Sequence, residues 1–429
     1  MLFSLYKTAL QASTPLLEFW MQRRLQAGKE DAARGPERRG IAALPRGEQP
    51  LVWFHAASVG ESLSLLPLIE KMLKSAQPLR VLVTTGTVTS AKLMGDRLPK
   101  GAFHQYAPVD HPAWVERFLG HWRPDLALWA ESEFWPNMLL SLQRRKIPAI
   151  LLNARMSEKS FRRWQWFSSP ARQLLQTFSL CLAQNGAEAA RLQALGARNV
   201  RVSANLKYAS APLPADSKKL DDLQKATARR TPLLWASTHP GEEEIALATH
   251  EKLKKDFPAL LTIIVPRHPA RGGEAATLAE KHGMKGSLRS QGALPSSEDN
   301  IYIADTLGEL GLFFSLTKIA VIGGSFVPVG GHNPIEPAQL GCTIVYGPHM
   351  FNFISICDDF ESRGAALRVA NAEELPEKIT ALLQNPPDAQ KMSAAAKTWV
   401  TGKACVADDI FSEITPYMPV TDAPQRRVS

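Results

Sequence analysis

The sequence predicts an α/β protein made of two similar units, each a parallel sheet flanked by helices. Three observations carry this. Short apolar runs alternate with helix-compatible stretches along most of the 429 residues, the pattern of parallel strands joined by crossover helices. The opening of the first half recurs in the second, which indicates two related domains rather than a solenoid of short repeats. A glycine-rich loop follows a late apolar run, where α/β folds place their ligands.

Leu51–Phe54 is the first expected strand; it runs into His55-Ala56-Ala57-Ser58-Val59-Gly60-Glu61 and a helical pattern over Ser62–Ser75. A second strand, Arg80–Thr84, ends in Thr85-Gly86-Thr87, and apolar runs at Leu126–Trp129 and Ala149–Leu152 continue the alternation. A strand over Asn199–Ser203 precedes Asn205-Leu206-Lys207-Tyr208. Residues 209–231, with Pro212, Pro214 and a charged stretch, read as an interdomain linker carrying a short helix. Leu233-Leu234-Trp235-Ala236-Ser237-Thr238-His239-Pro240-Gly241-Glu242 then repeats Leu51 to Glu61 with one residue fewer in the turn. A helix over Glu243–Phe257 and a strand over Leu260–Val265 follow, the latter ending in Pro266-Arg267-His268-Pro269. The divisions are therefore a lead-in (1–50), a first α/β domain (51–208), the linker (209–231), a second α/β domain (232–401) and a C-terminal helix with a polar tail (402–429). The terminal helical pattern begins near Ala389 and runs to about Tyr417.

Composition excludes several classes. A hydrophobic content of 45% with 21% charged residues is that of a globular chain. Cys181, Cys342, Cys357 and Cys405 show no CxxC spacing, against a zinc site or a disulfide framework. No GxxxxGK[ST], DxD or HExxH occurs, so neither a P-loop nor a side-chain metal site is expected. The net charge is +9, and eight basic residues between Arg144 and Arg172 interleave with Phe161, Trp164, Trp166 and Phe167. That mixture favours an anionic membrane or lipid phosphate over nucleic acid, with a solvated basic face as the plain alternative. The segment Leu2–Met21 is too interrupted by polar residues for a membrane span and carries no signal-peptide cleavage pattern. It reads as an interfacial amphipathic helix or as a helix capping the first domain.

Candidate chemistry sits after the expected strands. Glu61 can act as a general base on an incoming hydroxyl, or simply cap the helix it opens. Glu131 and Glu133, in Trp129-Ala130-Glu131-Ser132-Glu133-Phe134-Trp135-Pro136-Asn137, can orient an acceptor or open a helix. Lys207 suits an anionic donor or is an ordinary surface lysine, and Arg267 with His268 suits phosphate or carboxylate. Asp305-Thr306-Leu307-Gly308-Glu309-Leu310 can offer backbone groups to a base, or an N-cap. The loop Gly323-Gly324-Ser325-Phe326-Val327-Pro328-Val329-Gly330-Gly331-His332-Asn333-Pro334-Ile335-Glu336-Pro337-Ala338 reads as a nucleotide cradle, with a tight strand-to-helix turn that binds no ligand as the plain alternative. Its N–H groups and a helix beginning near Pro334 face a phosphate, and Glu336 accepts from a ribose.

Six blocks in order resemble the 3-deoxy-D-manno-octulosonic acid (Kdo) transferases of lipid A assembly. They are His55–Glu61, Glu131–Asn137, Asn153-Ala154-Arg155-Met156-Ser157, Asn205-Leu206-Lys207, Pro266-Arg267-His268 and Gly323–Ala338. The resemblance implies a GT-B glycosyltransferase of two Rossmann-like domains facing each other across a cleft, without a cofactor. It implies CMP-Kdo as co-substrate, a tetraacyl lipid A precursor as acceptor, and inversion at the anomeric carbon. Glu61 would be the base, and Glu131 and Lys207 would stabilise the transition state. By the resemblance the nucleotide would contact Pro266, Arg267, Leu307, Gly308, Glu309, Asn333, Pro334, Ile335 and Glu336, and the loop's own polar groups add Ser325. The setting implied is the cytoplasmic face of a bacterial inner membrane, with peripheral or monotopic attachment. The first segment is more polar than the family's usual anchor.

Overall fold

A computed structural model describes residues 2–75, 78–131 and 133–419. The chain forms two compact units, Met1–Ser210 with Ala404–Ser429, and Ala211–Lys403. Each is built on one seven-stranded sheet in which every pairing is parallel.

The first sheet comprises β1 (Leu51–His55), β2 (Arg80–Thr85), β3 (Ala102–Tyr106), β4 (Leu126–Ala130), β5 (Ala149–Ala154), β6 (Phe178–Ala183) and β7 (Val200–Val202). Their spatial order is β3-β2-β1-β4-β5-β6-β7. Every residue of β1, β4 and β5 is buried, which explains why these strands read as unbroken apolar runs rather than alternating ones. Trp53, Phe118, Trp122, Trp129 and Leu151 belong to one core on this sheet.

The second sheet comprises β8 (Thr231–Thr238), β9 (Leu260–Pro266), β10 (Gly286–Leu288), β11 (Ile301–Ile303), β12 (Ile319–Ile322), β13 (Thr343–Tyr346) and β14 (Ala366–Arg368), in the order β10-β11-β9-β8-β12-β13-β14. The chain builds one side of each sheet, then crosses to the other. The crossing strand pairs are β1 with β4 and β8 with β12. Such reversals leave a crevice at the strand C-termini, since the two connecting segments diverge to opposite faces. Apart from Leu307, Gly308, Glu309 and Lys207, the candidate residues end or follow β1, β4, β9 or β12.

Residues 209–231 do more than link. A helix at Ser217–Ala226 buries Leu223 in a core of the second unit, with Leu213 and Leu220 packed against it. Proline and charge dominate the composition of this stretch, but an apolar stripe of three leucines is enough to dock it. The C-terminal helical pattern is also interrupted. Pro386–Gly402 packs in the second unit, whereas Val406–Ile414 returns to the first and lies on the helix Val59–Leu73. At the other end, Leu2–Ala12 and Thr14–Gln26 are helices fastened to the first unit by polar contacts. Tyr6 Oη donates to Asp110 Oδ2 at 3.1 Å, and Arg39 Nε to Glu18 Oε1 at 2.8 Å. Leu2, Leu5, Leu16, Phe19 and Trp20 remain exposed.

Candidate active site

Glu61 lies in the first turn of Val59–Leu73 and does cap it. Ser58 Oγ accepts from Glu61 N at 3.3 Å and donates to Glu61 Oε1 at 2.7 Å, while Ala57 N donates to Glu61 Oε2 at 2.9 Å. This is a reciprocal capping arrangement. Both sequence readings meet here, because the carboxylate is half-buried and faces other acids. Burial, then the charges of Glu131 and Glu133, push its pKa up against the hydrogen bonds from Ala57 and Ser58. A carboxylate held in place and made more basic is suited to taking a proton.

Glu131 directly follows β4 with φ 56°, and its Oε1 stands 3.0 Å from Lys207 Nζ. Lys207 lies in a single turn, Leu206–Ala209, that packs against the helix carrying Glu61. Asn205 Oδ1 caps that turn by accepting from Lys207 N at 3.0 Å. Glu61, Glu131 and Lys207, separated by up to 146 positions, thus converge within the first unit. Glu133 has a different place. Its carbonyl accepts from Trp129 Nε1 and its carboxylate from Trp135 Nε1 at 3.1 Å, so it shapes the turn after β4. Ser132, between the two acids, lies outside the described residues.

In the second unit the glycine loop departs from the expected cradle. Glu242, at the position equivalent to Glu61, is 0% exposed. Its carboxylate accepts from Gly324 N (2.6 Å), Ser325 N (3.0 Å), Phe326 N (3.0 Å) and His239 N (2.9 Å). Three of the loop's N–H groups, those of Gly324, Ser325 and Phe326, are therefore taken by the chain's own carboxyl group. Close approach explains the glycines as well. A Cβ on Gly323 would stand 2.3 Å from the Ser237 carbonyl oxygen, and one on Gly331 would stand 2.1 Å from Met350 Sδ. Ser325 is fully buried, its hydroxyl donating to Ile322 O and accepting from Gly347 N at 2.9 Å. It holds the loop and has no face for a ligand. The following helix, Ile335–Gln339, has only five residues, so its dipole is weak. Pro334, which precedes this helix, and Ile335, its first residue, are both buried.

Polar groups gather beside that loop instead. Asn333 Nδ2 donates to Glu336 Oε1 at 3.1 Å, and Asn333 Oδ1 accepts from Ile335 N at 3.1 Å. Burial pushes Glu336 up to about 7, against the Asn333 hydrogen bond and the Arg267 charge. Pro266 ends β9 and Arg267 follows it, exposed. His239 Nε2 and His332 Nε2 are 2.9 Å apart with rings parallel to within 6°, which requires one donor and one acceptor imidazole nitrogen. Burial, then His239, Arg267 and His268, push His332 down to about 3. His239 is lowered by burial and by His268 and Arg267. A group of cationic and neutral nitrogens that repel one another's protons is suited to an anion. Sequence reasoning missed Glu242 and His239, although the repeated Gly-Glu turn contained both.

Glu309 is fully engaged: Arg289 donates to it at 2.8 and 3.1 Å, Lys219 at 2.7 Å and Thr306 at 2.6 Å. The Arg289 guanidinium is the largest influence holding it down to about 2. That network fixes a turn in which Gly308 has φ 81° and Leu307 is 83% exposed.

Residues 33–210 match the family described as 3-deoxy-D-manno-octulosonic-acid transferase (kdotransferase). The chain is 36% identical over 374 residues to the 3-deoxy-D-manno-octulosonic acid transferase of Rickettsia typhi, covering 86% of this chain and 80% of that protein. It is 33% identical over 410 residues to the transferase of the same name from Bordetella pertussis, covering 93% and 95%. Among solved structures, UDP-GlcNAc 2-epimerase from Neisseria meningitidis bound to UDP-GlcNAc aligns with a TM-score of 0.59 at 14% identity, over 86% of this chain and all of that one. At that identity the likeness concerns the fold, which is of the GT-B type. With relatives of this identity along most of its length, the chain belongs to the 3-deoxy-D-manno-octulosonic acid transferase family and is a glycosyltransferase.

Proposed function

We propose that the protein moves Kdo from CMP-Kdo to a lipid A precursor with inversion, and that Glu61 is the general base. The observation that carries this reading is the convergence of Glu61, Glu131 and Lys207 at the first switch point. In one displacement, Glu61 takes the acceptor hydroxyl proton as that oxygen bonds to the anomeric carbon. The bond from that carbon to the phosphate oxygen breaks, and its electrons leave with CMP. Lys207, held by Glu131, supplies positive charge where the Kdo carboxylate and the departing phosphate carry negative charge. In the second unit, Arg267 with His239 and His332 suits the phosphate. Asn333 and Glu336 suit the ribose, and Leu307 with the backbone of Gly308 suits the base. Glu309 and Ser325 act behind these groups, shaping the turns that present them.

The acceptor side has a matching surface. Phe161 and Trp164 pack inward on the core, whereas Trp166 is 87% exposed and Phe167 is also exposed. Lys159, Arg162 and Arg163 are exposed beside them. Outward aromatics among cations suit the interface of an anionic bilayer, and the exposed apolar residues of the N-terminal helices extend that character. Among the described residues, no helix is long and apolar enough to cross a membrane. The reading is attachment to the cytoplasmic face of the inner membrane from one side.

The test is incubation with CMP-Kdo and tetraacyl lipid A precursor, with products identified by mass. Kdo-bearing product made by the wild type and lost in Glu61→Gln supports the reading. Transfer at near wild-type rate by Glu61→Gln removes Glu61 as the base, and transfer only from another sugar nucleotide removes CMP-Kdo as donor.

A further inference from the structure

The block Asn153–Ser157 has no part in the chemistry above, yet its first residue is unusual. Asn153 is 3% exposed and holds φ at 51°, a left-handed conformation that is uncommon outside glycine. It is the last residue but one of β5, one step beyond the pair Ala130↔Leu152, and so beside Glu131, which has φ 56°.

A chain of amides leads from it to the reaction site. Asn153 Oδ1 accepts from Leu206 N at 3.1 Å, which fixes the orientation of its amide. Its carbonyl accepts from Gln184 Nε2 at 3.0 Å, and Gln184 Oε1 accepts from Asn205 Nδ2 at 3.1 Å. Asn205 Oδ1 then accepts from Lys207 N at 3.0 Å. The turn bearing Lys207 is thereby tied at Leu206 and Lys207, and its Nζ stands 3.0 Å from Glu131. Among the described residues, Asn153 Nδ2 is buried without a hydrogen-bond partner, an arrangement that costs stability, as does the left-handed backbone. Both costs fall on a residue whose one side-chain hydrogen bond holds the turn of Lys207.

We propose that Asn153 is a positioning residue for the transfer reaction, holding the Leu206–Lys207 backbone so that the Lys207 ammonium stands against Glu131. This rests on Lys207 taking part in that reaction. Asn153→Gly removes the side chain and leaves a residue that adopts φ 51° without strain. Transfer is measured with enzyme in excess, in the wild-type and Lys207→Ala backgrounds. In the wild-type background the maximal rate falls by about tenfold to a hundredfold, while KM for CMP-Kdo changes by less than about twofold. In the Lys207→Ala background the same substitution changes the rate by less than about twofold, because there is no ammonium left to place. Equal losses in both backgrounds, or a loss confined to KM, overturn the proposal while leaving Lys207 in its role. Near-full turnover by Lys207→Ala removes the role of Lys207 itself and this proposal with it. If Asn153→Gly does not fold, Asn205→Ala, which removes the cap on Lys207 N, takes its place in the same comparison.

Discussion

Two glutamates at equivalent positions have separate fates, and the difference is one of hydrogen-bond supply. Glu242 accepts four backbone N–H groups and is sealed from solvent. Glu61 accepts one backbone N–H and one hydroxyl, and faces Glu131. Burial raises the pKa of both carboxylates, but only Glu61 keeps some exposure to solvent, as the proposed base requires. Glu242→Ala should lower unfolding free energy by at least about 3 kcal/mol, because several buried donors lose their acceptor at once; urea denaturation checks this. Glu61→Gln should lower turnover by about a hundredfold or more while leaving CMP affinity within about twofold, as measured by transfer rate and calorimetry. Glu336 makes a pH prediction. Its folded pKa of about 7 is raised above the ordinary 4.5. The unfolded chain therefore gives up this proton first, and the stability the group confers is full below the ordinary carboxylate range. It declines as pH rises from there through about 7. Tm measured between pH 4 and pH 8 should fall less steeply in Glu336→Gln than in the wild type.

At the scale of elements, the helix Ser217–Ala226 separates a linker from a docked segment. Leu223→Ala should cost about 2–5 kcal/mol, the range for a leucine removed from a packed core; a linker residue would cost almost nothing. The pair Trp166 and Phe167 makes the opposite test. Replacing both with serine should leave Tm unchanged and weaken binding to vesicles containing anionic lipid, read by co-sedimentation at two salt concentrations. The central strands β1, β4, β5, β8, β9 and β12, with β2, were legible in the sequence because double-sided burial produces apolar runs. β3, β6, β10, β11, β13 and β14 were not read from it; three of these have only three residues, too few to show a period, and β7, equally short, was placed only within the longer run 199–203. The glycine loop was legible as a strand-to-helix turn. What its glycines admit was not, because the atoms they approach belong to Ser237 and Met350, distant in sequence.

At the scale of the whole molecule, the chain leaves its first unit at Ser210 and returns after Lys403. The returning helix buries Val406, Ile410 and Ile414 and packs on the helix that Glu61 opens. Removing residues 404–429 should therefore lower the unfolding temperature of the first unit, whose sheet comes from the opposite end of the sequence. Hydrogen exchange resolved by segment would show lost protection over Val59–Leu73 and little change in β8, β9 and β12.

The sequence by itself determined that there are two α/β units, and that carboxylates, a lysine and an arginine follow their strands. These are local properties, set by runs of apolar residues and by short motifs. Only the tertiary structure decided which of those groups meet. Glu131 reaches Lys207 because β4 lies beside β5 and the turn after β7 folds back. Glu242 fills the glycine loop because β8 lies beside β12. Strand order is set by long-range packing, and no short stretch of sequence encodes it.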